Sequence, residues 1–324
     1  MEALETPSPG GFSGGSSAGR GHCPSRGRLC IHDRVSGSFS RRVTPIGLSR
    51  RSGGGFAVAS NGNVRAPEIH PGHLLEVSDI TVNFGGIVAL DGLSFSIQRG
   101  HICGLIGPNG AGKTTMFNVV SRIYEPSIGS IRYGGQDLLA VPAHRIAHLG
   151  IARTFQNLAL FPTMTLLENV MVGAHSTGNV GFARAILRLG AARENRQMRD
   201  WAGYLLGELG LGALAFRPAM GLPFGTLKRL EIARALAARP QFLLMDEPAA
   251  GLTHGEVDEL ADTVSSIRDQ FGLTILLVEH HMSMVMKISD HVVAMEFGRK
   301  ISEGSPQVVQ NDPKVIQAYL GVDA

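Results

Sequence analysis

The chain has 324 residues, is 44% apolar and carries a formal charge of +3, which allows one large domain or two small ones with a substantial core. Its longest apolar runs, Leu273 to Val278 and Phe242 to Met245, fall far short of the roughly 20 residues that span a bilayer, so no helix of the chain is expected to cross a membrane. Residues 1–70 hold nine arginines, no lysine and four acidic residues, leaving 21 basic against 23 acidic residues elsewhere; this near balance supplies no basic face, and nucleic acid is not expected as a partner.

Residues 1–72 are rich in Gly, Ser, Arg and Pro without a sustained apolar period. Such a stretch cannot bury enough surface to offset its chain entropy and reads as a disordered extension. It also has the composition of a targeting leader, though without a clear amphipathic helix. His22, Cys23, Cys30 and His32 match no common zinc spacing.

Order is expected over 73–321. Leu75 to Val77, Ile80 to Phe84, Val88 to Leu90 and Leu93 to Ile97 read as strands around a Gly85-Gly86 turn. This β-rich lead-in leaves Phe84 where its ring can stack on a base or serve as a hairpin aromatic. Ile102 to Ile106 is the short apolar run of a buried parallel strand, and Met116 to Val120 continues as a helix.

Between them lie Gly107, Pro108, Asn109, Gly110, Ala111, Gly112, Lys113, Thr114 and Thr115, a phosphate-binding loop in the strand–turn–helix context that confirms it. The glycines permit positive φ and turn successive N–H groups towards an anion, which the helix N-terminus also attracts. Lys113 suits the β- and γ-phosphates, and the Thr114 hydroxyl suits Mg²⁺.

A hairpin follows at Gly129 to Gly135 and a short helix at Pro142 to His148, before a strand that ends at Gln156, whose amide can reach a metal or an attacking water. From Leu158 to about Met220 the pattern turns helical. Thr165 and Glu168 form a capping box, and Phe182 to Leu189 and Arg193 to Leu209 carry apolar residues at helical spacing, Met198, Trp201, Leu205 and Leu209 among them. The segment of about 158–222 is thus an inserted helical subdomain, and its apolar stripe reads as core.

Leu222 to Thr226 is a glycine-containing turn leading into a helix from Leu227 to Arg239. Phe242 to Asp246 is a buried strand with Asp246 and Glu247 at its C-terminal end, where doubly wound sheets place ligands. Two adjacent carboxylates there point to a bound cation and to proton transfer. Asp246 suits Mg²⁺, and Glu247 suits polarisation of an attacking water. The strand Leu273 to Val278 ends at Glu279, His280 and His281, and His280 can meet a γ-phosphate.

In this order the motifs resemble those of ATP-binding subunits of ABC transporters, continuously from about Leu74 to Gly321. The resemblance implies an α/β P-loop NTPase (RecA-like) core with an antiparallel β subdomain and an inserted α-helical subdomain. It also implies ATP and Mg²⁺ as ligands. Phe84, the loop from Gly107 to Thr115, Leu222 and Gly225 then bind nucleotide; Thr114, Gln156 and Asp246 hold the metal; and Glu247, His280 and Gln156 are catalytic. Ala152 to Asn157, Leu160 to Pro162, Leu230 to Leu236, Glu247 to Leu252 and Val315 to Gly321 look like the larger ATPase subunit of branched-chain amino acid importers.

That resemblance implies a peripheral subunit at the cytoplasmic face of the inner membrane. Its partners would be transmembrane permease subunits, a second ATP-binding subunit (a copy or a paralogue) and, indirectly, an extracytoplasmic solute-binding protein. ABC ATPases of lipopolysaccharide export or urea uptake, or a non-transport ABC ATPase, are the rival readings. Four departures from the family pattern stand out: Pro223, Phe224 and Thr226 within the signature motif, Thr253 for an aspartate, His281 for another, and Arg122 where a glycine usually ends the loop helix. Loss of the signature serine removes one expected phosphate contact.

Overall fold

The computed structural model describes residues 72–154, 158–174 and 191–320. The expected disordered extension, the helical pattern at Phe182 to Leu189 and Gln156 lie outside the described residues.

The expected N-terminal strands merge in pairs. β1 (His73–Phe84) and β2 (Ile87–Gln98) are each continuous and pair antiparallel across the Gly85-Gly86 turn. The interruption in the apolar pattern is taken up by a bulge at Asp79, which has φ 51°. The Ser94 hydroxyl steadies it, accepting from the Asp79 N–H at 2.8 Å and donating to its carboxylate at 3.1 Å. With β4 (Ile128–Tyr133) and β5 (Gln136–Asp137) these strands form an antiparallel sheet in the order β2-β1-β4-β5.

β3 (Ile102–Ile106), β6 (Ile151–Arg153), β7 (Phe242–Asp246), β8 (Thr274–Val278), β9 (His291–Glu296) and β10 (Arg299–Gly304) form the second sheet, ordered β10-β9-β3-β8-β7-β6. All its pairings are parallel except β10 with β9. β3, β7 and β8 are buried at every position, as their unbroken apolar runs require of a sheet covered on both faces. Alternation divides their side chains between two cores. Ile102, Leu243, Met245, Ile275 and Leu277 join the helices on one face. Cys103, Leu105, Phe242, Leu244 and Leu276 join the antiparallel sheet and the first helix on the other.

Among the described residues the helices are α1 (Lys113–Val120), α2 (Leu166–Ala174), α3 (Ala191–Glu208), α4 (Phe224–Ala237), α5 (His254–Phe271), α6 (Met282–Ile288), α7 (Pro306–Gln310) and α8 (Pro313–Leu320), with 3-10 turns at Ala143–Leu149 and Gly212–Leu214. Among the described residues no helix is long and apolar enough to cross a membrane. The capping box of α2 is present, the Thr165 N–H donating to Glu168 at 2.8 Å and the Glu168 N–H to the Thr165 hydroxyl at 3.2 Å. The stripe of α3 is core: Leu205 and, just past the helix end, Leu209 are buried, the Trp201 indole donates to the Ala237 carbonyl at 3.3 Å, and the Arg239 guanidinium lies 4.7 Å over its ring.

Two details differ from the sequence pattern or explain it. α4 starts at Phe224 rather than Leu227, because Pro223, at φ −55° and ψ 147°, already sets the turn into the helix. Arg122 adopts φ 57° at the end of α1, the left-handed conformation that makes glycine usual there. It is held by hydrogen bonds from its guanidinium to the Val141 carbonyl (3.2 Å) and to Glu125 (3.2 Å).

α2 and α4 approach so closely at Gly173 that a Cβ there would overlap the Arg234 carbonyl oxygen. Gly173→Ala must push the two helices apart, and chemical denaturation should show about 1–3 kcal/mol lost stability; a variant as stable as the parent would contradict this packing.

Candidate nucleotide site

The phosphate loop leaves the middle of the parallel sheet, since β3 lies between β8 and β9. Gly107, Gly110 and Gly112 all have positive φ (151°, 82° and 96°). Two of them are also fixed by space. A Cβ on Gly107 would overlap the Met295 carbonyl oxygen, and one on Gly112 would lie 2.6 Å from the Ala89 carbonyl oxygen. The turn between β9 and β10 supports the loop from behind: the Gly298 N–H donates to the Ala111 carbonyl at 3.0 Å, and the Gly298 carbonyl accepts from Asp91 N–H at 3.0 Å.

Asn109, Gly110 and Thr114 stand at the surface, whereas the Lys113 side chain is buried and folds back on its own loop. Its ammonium donates to the carbonyls of Gly107 (2.6 Å) and Pro108 (2.9 Å). Burial lowers the Lys113 pKa below the usual lysine range, while the charges of Glu247 and Asp246 oppose the fall. The strand that ends at Asp246 and the loop that carries Lys113 meet at the same edge of the parallel sheet.

Asp246 is 3% exposed. Burial raises its pKa, opposed by Arg153, whose guanidinium meets the carboxylate at 3.2 Å. Arg153 also donates to Asn118 at 2.8 Å and lies 4.5 Å over the Phe117 ring. It thus ties the aspartate strand to the helix that carries the loop. The sequence pattern assigned Arg153 no role; an arginine ending a short strand was the available signal.

Glu247 turns away from Asp246 because its backbone is left-handed, with φ 46°. A non-glycine residue there is strained at a cost on the order of 1–3 kcal/mol. Its N–H is held by the Val278 carbonyl at 2.8 Å, which anchors the turn to β8. The His280 imidazole is half exposed and comes within 4.0 Å of the Glu247 carboxylate.

Glu279 is the second residue that the sequence pattern did not single out. Fully buried, its carboxylate accepts from the Ala249 N–H at 2.7 Å through one oxygen. Through the other it accepts from the N–H groups of His280 (2.8 Å) and His281 (3.0 Å), with the His281 Nδ1 at 3.1 Å. One carboxylate thereby joins the turn after Glu247 to the segment bearing His280. The same bonds account for His281 in an aspartate's place. Thr253, likewise in an aspartate's place, starts α5, its N–H and hydroxyl donating to Glu256 at 2.9 and 2.8 Å.

Phe84 ends β1 half exposed, edge-on to Tyr124 with ring centroids 5.1 Å apart. Leu222 and Gly225 sit on either side of Pro223 at the start of α4, which packs on α2 and α3. The Phe224 ring covers Gly251, where a Cβ would lie 3.1 Å from it.

Fold and motif geometry together define a P-loop ATPase cassette. The ABC transporter family profile matches residues 90–250, and that of the branched-chain amino acid ATP-binding cassette transporters matches 299–324. The high-affinity branched-chain amino acid transport ATP-binding protein BraF of Pseudomonas aeruginosa is 41% identical over 249 residues, covering 76% of this chain and 98% of the relative. LivG of Escherichia coli, of the same description, is 39% identical with the same coverage. The crystal structure of a nucleotide-free ATP-binding cassette from an ABC transporter superposes with a TM-score of 0.68 at 32% identity, over 77% of this chain and all of the other. The chain belongs to the branched-chain amino acid transport ATP-binding proteins of the ABC transporter family, whose members bind and hydrolyse ATP to drive transport.

Glu279→Gln replaces acceptor oxygens by an amide whose NH₂ must face an N–H donor. Each buried group so orphaned costs about 1–3 kcal/mol. Denaturant titration should show a loss of at least about that size, and an unchanged midpoint would refute the brace.

Proposed function

We propose that this chain is the ATP-hydrolysing subunit of an importer for branched-chain amino acids or related small polar solutes, acting peripherally at the cytoplasmic face of a membrane with permease subunits and a second ATP-binding subunit. The proposal rests chiefly on one observation: the loop carrying Lys113 leaves the C-terminal end of β3, and Asp246 and Glu247 close β7 at the same edge of the parallel sheet. The names of the relatives support the transport reading over lipopolysaccharide export or a non-transport role.

In this reading the triphosphate replaces the Gly107 and Pro108 carbonyls as the partner of the Lys113 ammonium, while N–H groups from Gly110 to Thr115 take its oxygens. Phe84 stacks on the base. The hard oxygen donors of Thr114 and Asp246 fit Mg²⁺, with Gln156 as a further ligand. Held by these residues, Mg²⁺ would supply neutralisation of the phosphate charge. Glu247 accepts the proton of the attacking water, and His280, held beside it by the Glu279 brace, contacts the γ-phosphate. Leu222 and Gly225 at the start of α4 close over nucleotide held by the loop of the second subunit. Closure on ATP and reopening after hydrolysis then move the permease between its two states. We take residues 73–321 as the ATPase domain, with 158–222 as its helical subdomain.

Two measurements test this. Lys113→Ala should abolish ATP binding in calorimetry, and unaltered affinity would contradict the role of the loop. Glu247→Gln should lower steady-state ATP turnover of the assembled transporter by about 10²–10⁴-fold, and turnover near the parent's would remove Glu247 as the base.

A further inference from the structure

The Gly107 N–H, at the first turn of the phosphate loop, donates to the phenol oxygen of Tyr319 at 2.8 Å, across 212 residues of sequence. Tyr319 belongs to α8, which is seated by the buried Val315 and by packing on β10 and α7. The tyrosine is 38% exposed, so its ring contributes little to a core, whereas its hydroxyl reaches a main-chain group of the loop. Burial raises the Tyr319 pKa, opposed by the bond from Gly107. The phenol therefore stays protonated and keeps a proton of its own to donate.

Gly107 is held from both sides. Tyr319 takes its N–H, and the Lys113 ammonium takes its carbonyl at 2.6 Å. The two clasps differ in permanence, a point that rests on the nucleotide reading of the loop. Lys113 must give up the carbonyl to meet a phosphate; the Gly107 N–H lies outside the run of N–H groups from Gly110 to Thr115 that take the phosphate in this reading, so its bond to Tyr319 need not break. With the Met295 carbonyl allowing no Cβ at this position, Gly107 has no side chain by which the fold can fix it. Its peptide groups are the only handles, and once the lysine leaves, the tyrosine holds the remaining one.

We propose that Tyr319 is a positioning residue for nucleotide binding: its hydroxyl sets the start of the phosphate loop and couples the C-terminal helix α8 to ATP occupancy. Coupling of this kind is reciprocal, so displacement of α8 weakens ATP binding and bound ATP steadies α8.

The test uses the full chain with Tyr319→Phe, which removes the hydroxyl alone. Calorimetric titration with magnesium and ATP should give a Kd about fivefold weaker than the parent's, because without the hydroxyl nothing holds the loop start once Lys113 has left it, while the nucleotide-free protein, which keeps the lysine clasp, loses no more than about 4 °C in melting temperature. In steady-state hydrolysis the same variant should raise KM for ATP with kcat within a factor of about two. The Gly107 amide should also exchange its hydrogen faster. An ATP Kd equal to the parent's overturns the proposal, and so does a lowered melting temperature with unchanged Kd, which would make Tyr319 a packing residue. Failure of the parent chain itself to bind ATP would instead overturn the nucleotide reading of the loop.

Discussion

A loop that presents N–H groups to an anion must turn its carbonyls elsewhere and satisfy them there. In this chain the Lys113 ammonium meets that need, bonded to the carbonyls of Gly107 and Pro108. The rest of the site follows from keeping a buried cation in place. Its charge is balanced by the two acids at the end of β7; the acids need the parallel sheet to bring β7 and β3 to the same edge; and the sheet needs both its cores. A lysine in this environment is poised to exchange weak carbonyl partners for a strongly charged phosphate, which is the step proposed for ATP binding.

Charge at the end of β7 is handled by giving neighbouring carboxylates different surroundings. Asp246 is buried and answered by Arg153, so it stays fixed between the aspartate strand and α1. Glu247 is rotated out by a strained backbone and left facing His280. Glu279 directs its charge to main-chain N–H groups. Three acids within reach of one another thus take the proposed parts of metal holder, base and brace, and surroundings rather than side-chain type distinguish them.

The departures from the family pattern also make local sense. Arg122 tolerates a left-handed backbone through its bonds to Val141 and Glu125. Thr253 trades an acid for a helix cap. His281 takes up an oxygen of Glu279. Pro223 brings α4 forward so that Gly225 lies in its first turn, where free N–H groups stand in for the missing serine hydroxyl in the proposed closure over ATP.

The fold class was legible in the sequence because its signals are local. Unbroken apolar runs announce buried parallel strands, and Gly107 to Thr115 encodes its own turn, lysine and helix start. The strand that Asp246 closes was legible for the same reason, as an apolar run ending in paired acids. Arg153, Glu279 and Tyr319 were not, since each acts on atoms far away in the chain: Asp246, 93 residues on, for the arginine; the Ala249 amide for the glutamate; and the Gly107 amide, 212 residues away, for the tyrosine. The sequence determined which residues can turn, cap, carry charge and line a core, because those properties belong to residues and their immediate neighbours. Only the tertiary structure decided which main-chain groups the buried side chains satisfy, because that depends on which strands the parallel sheet sets side by side.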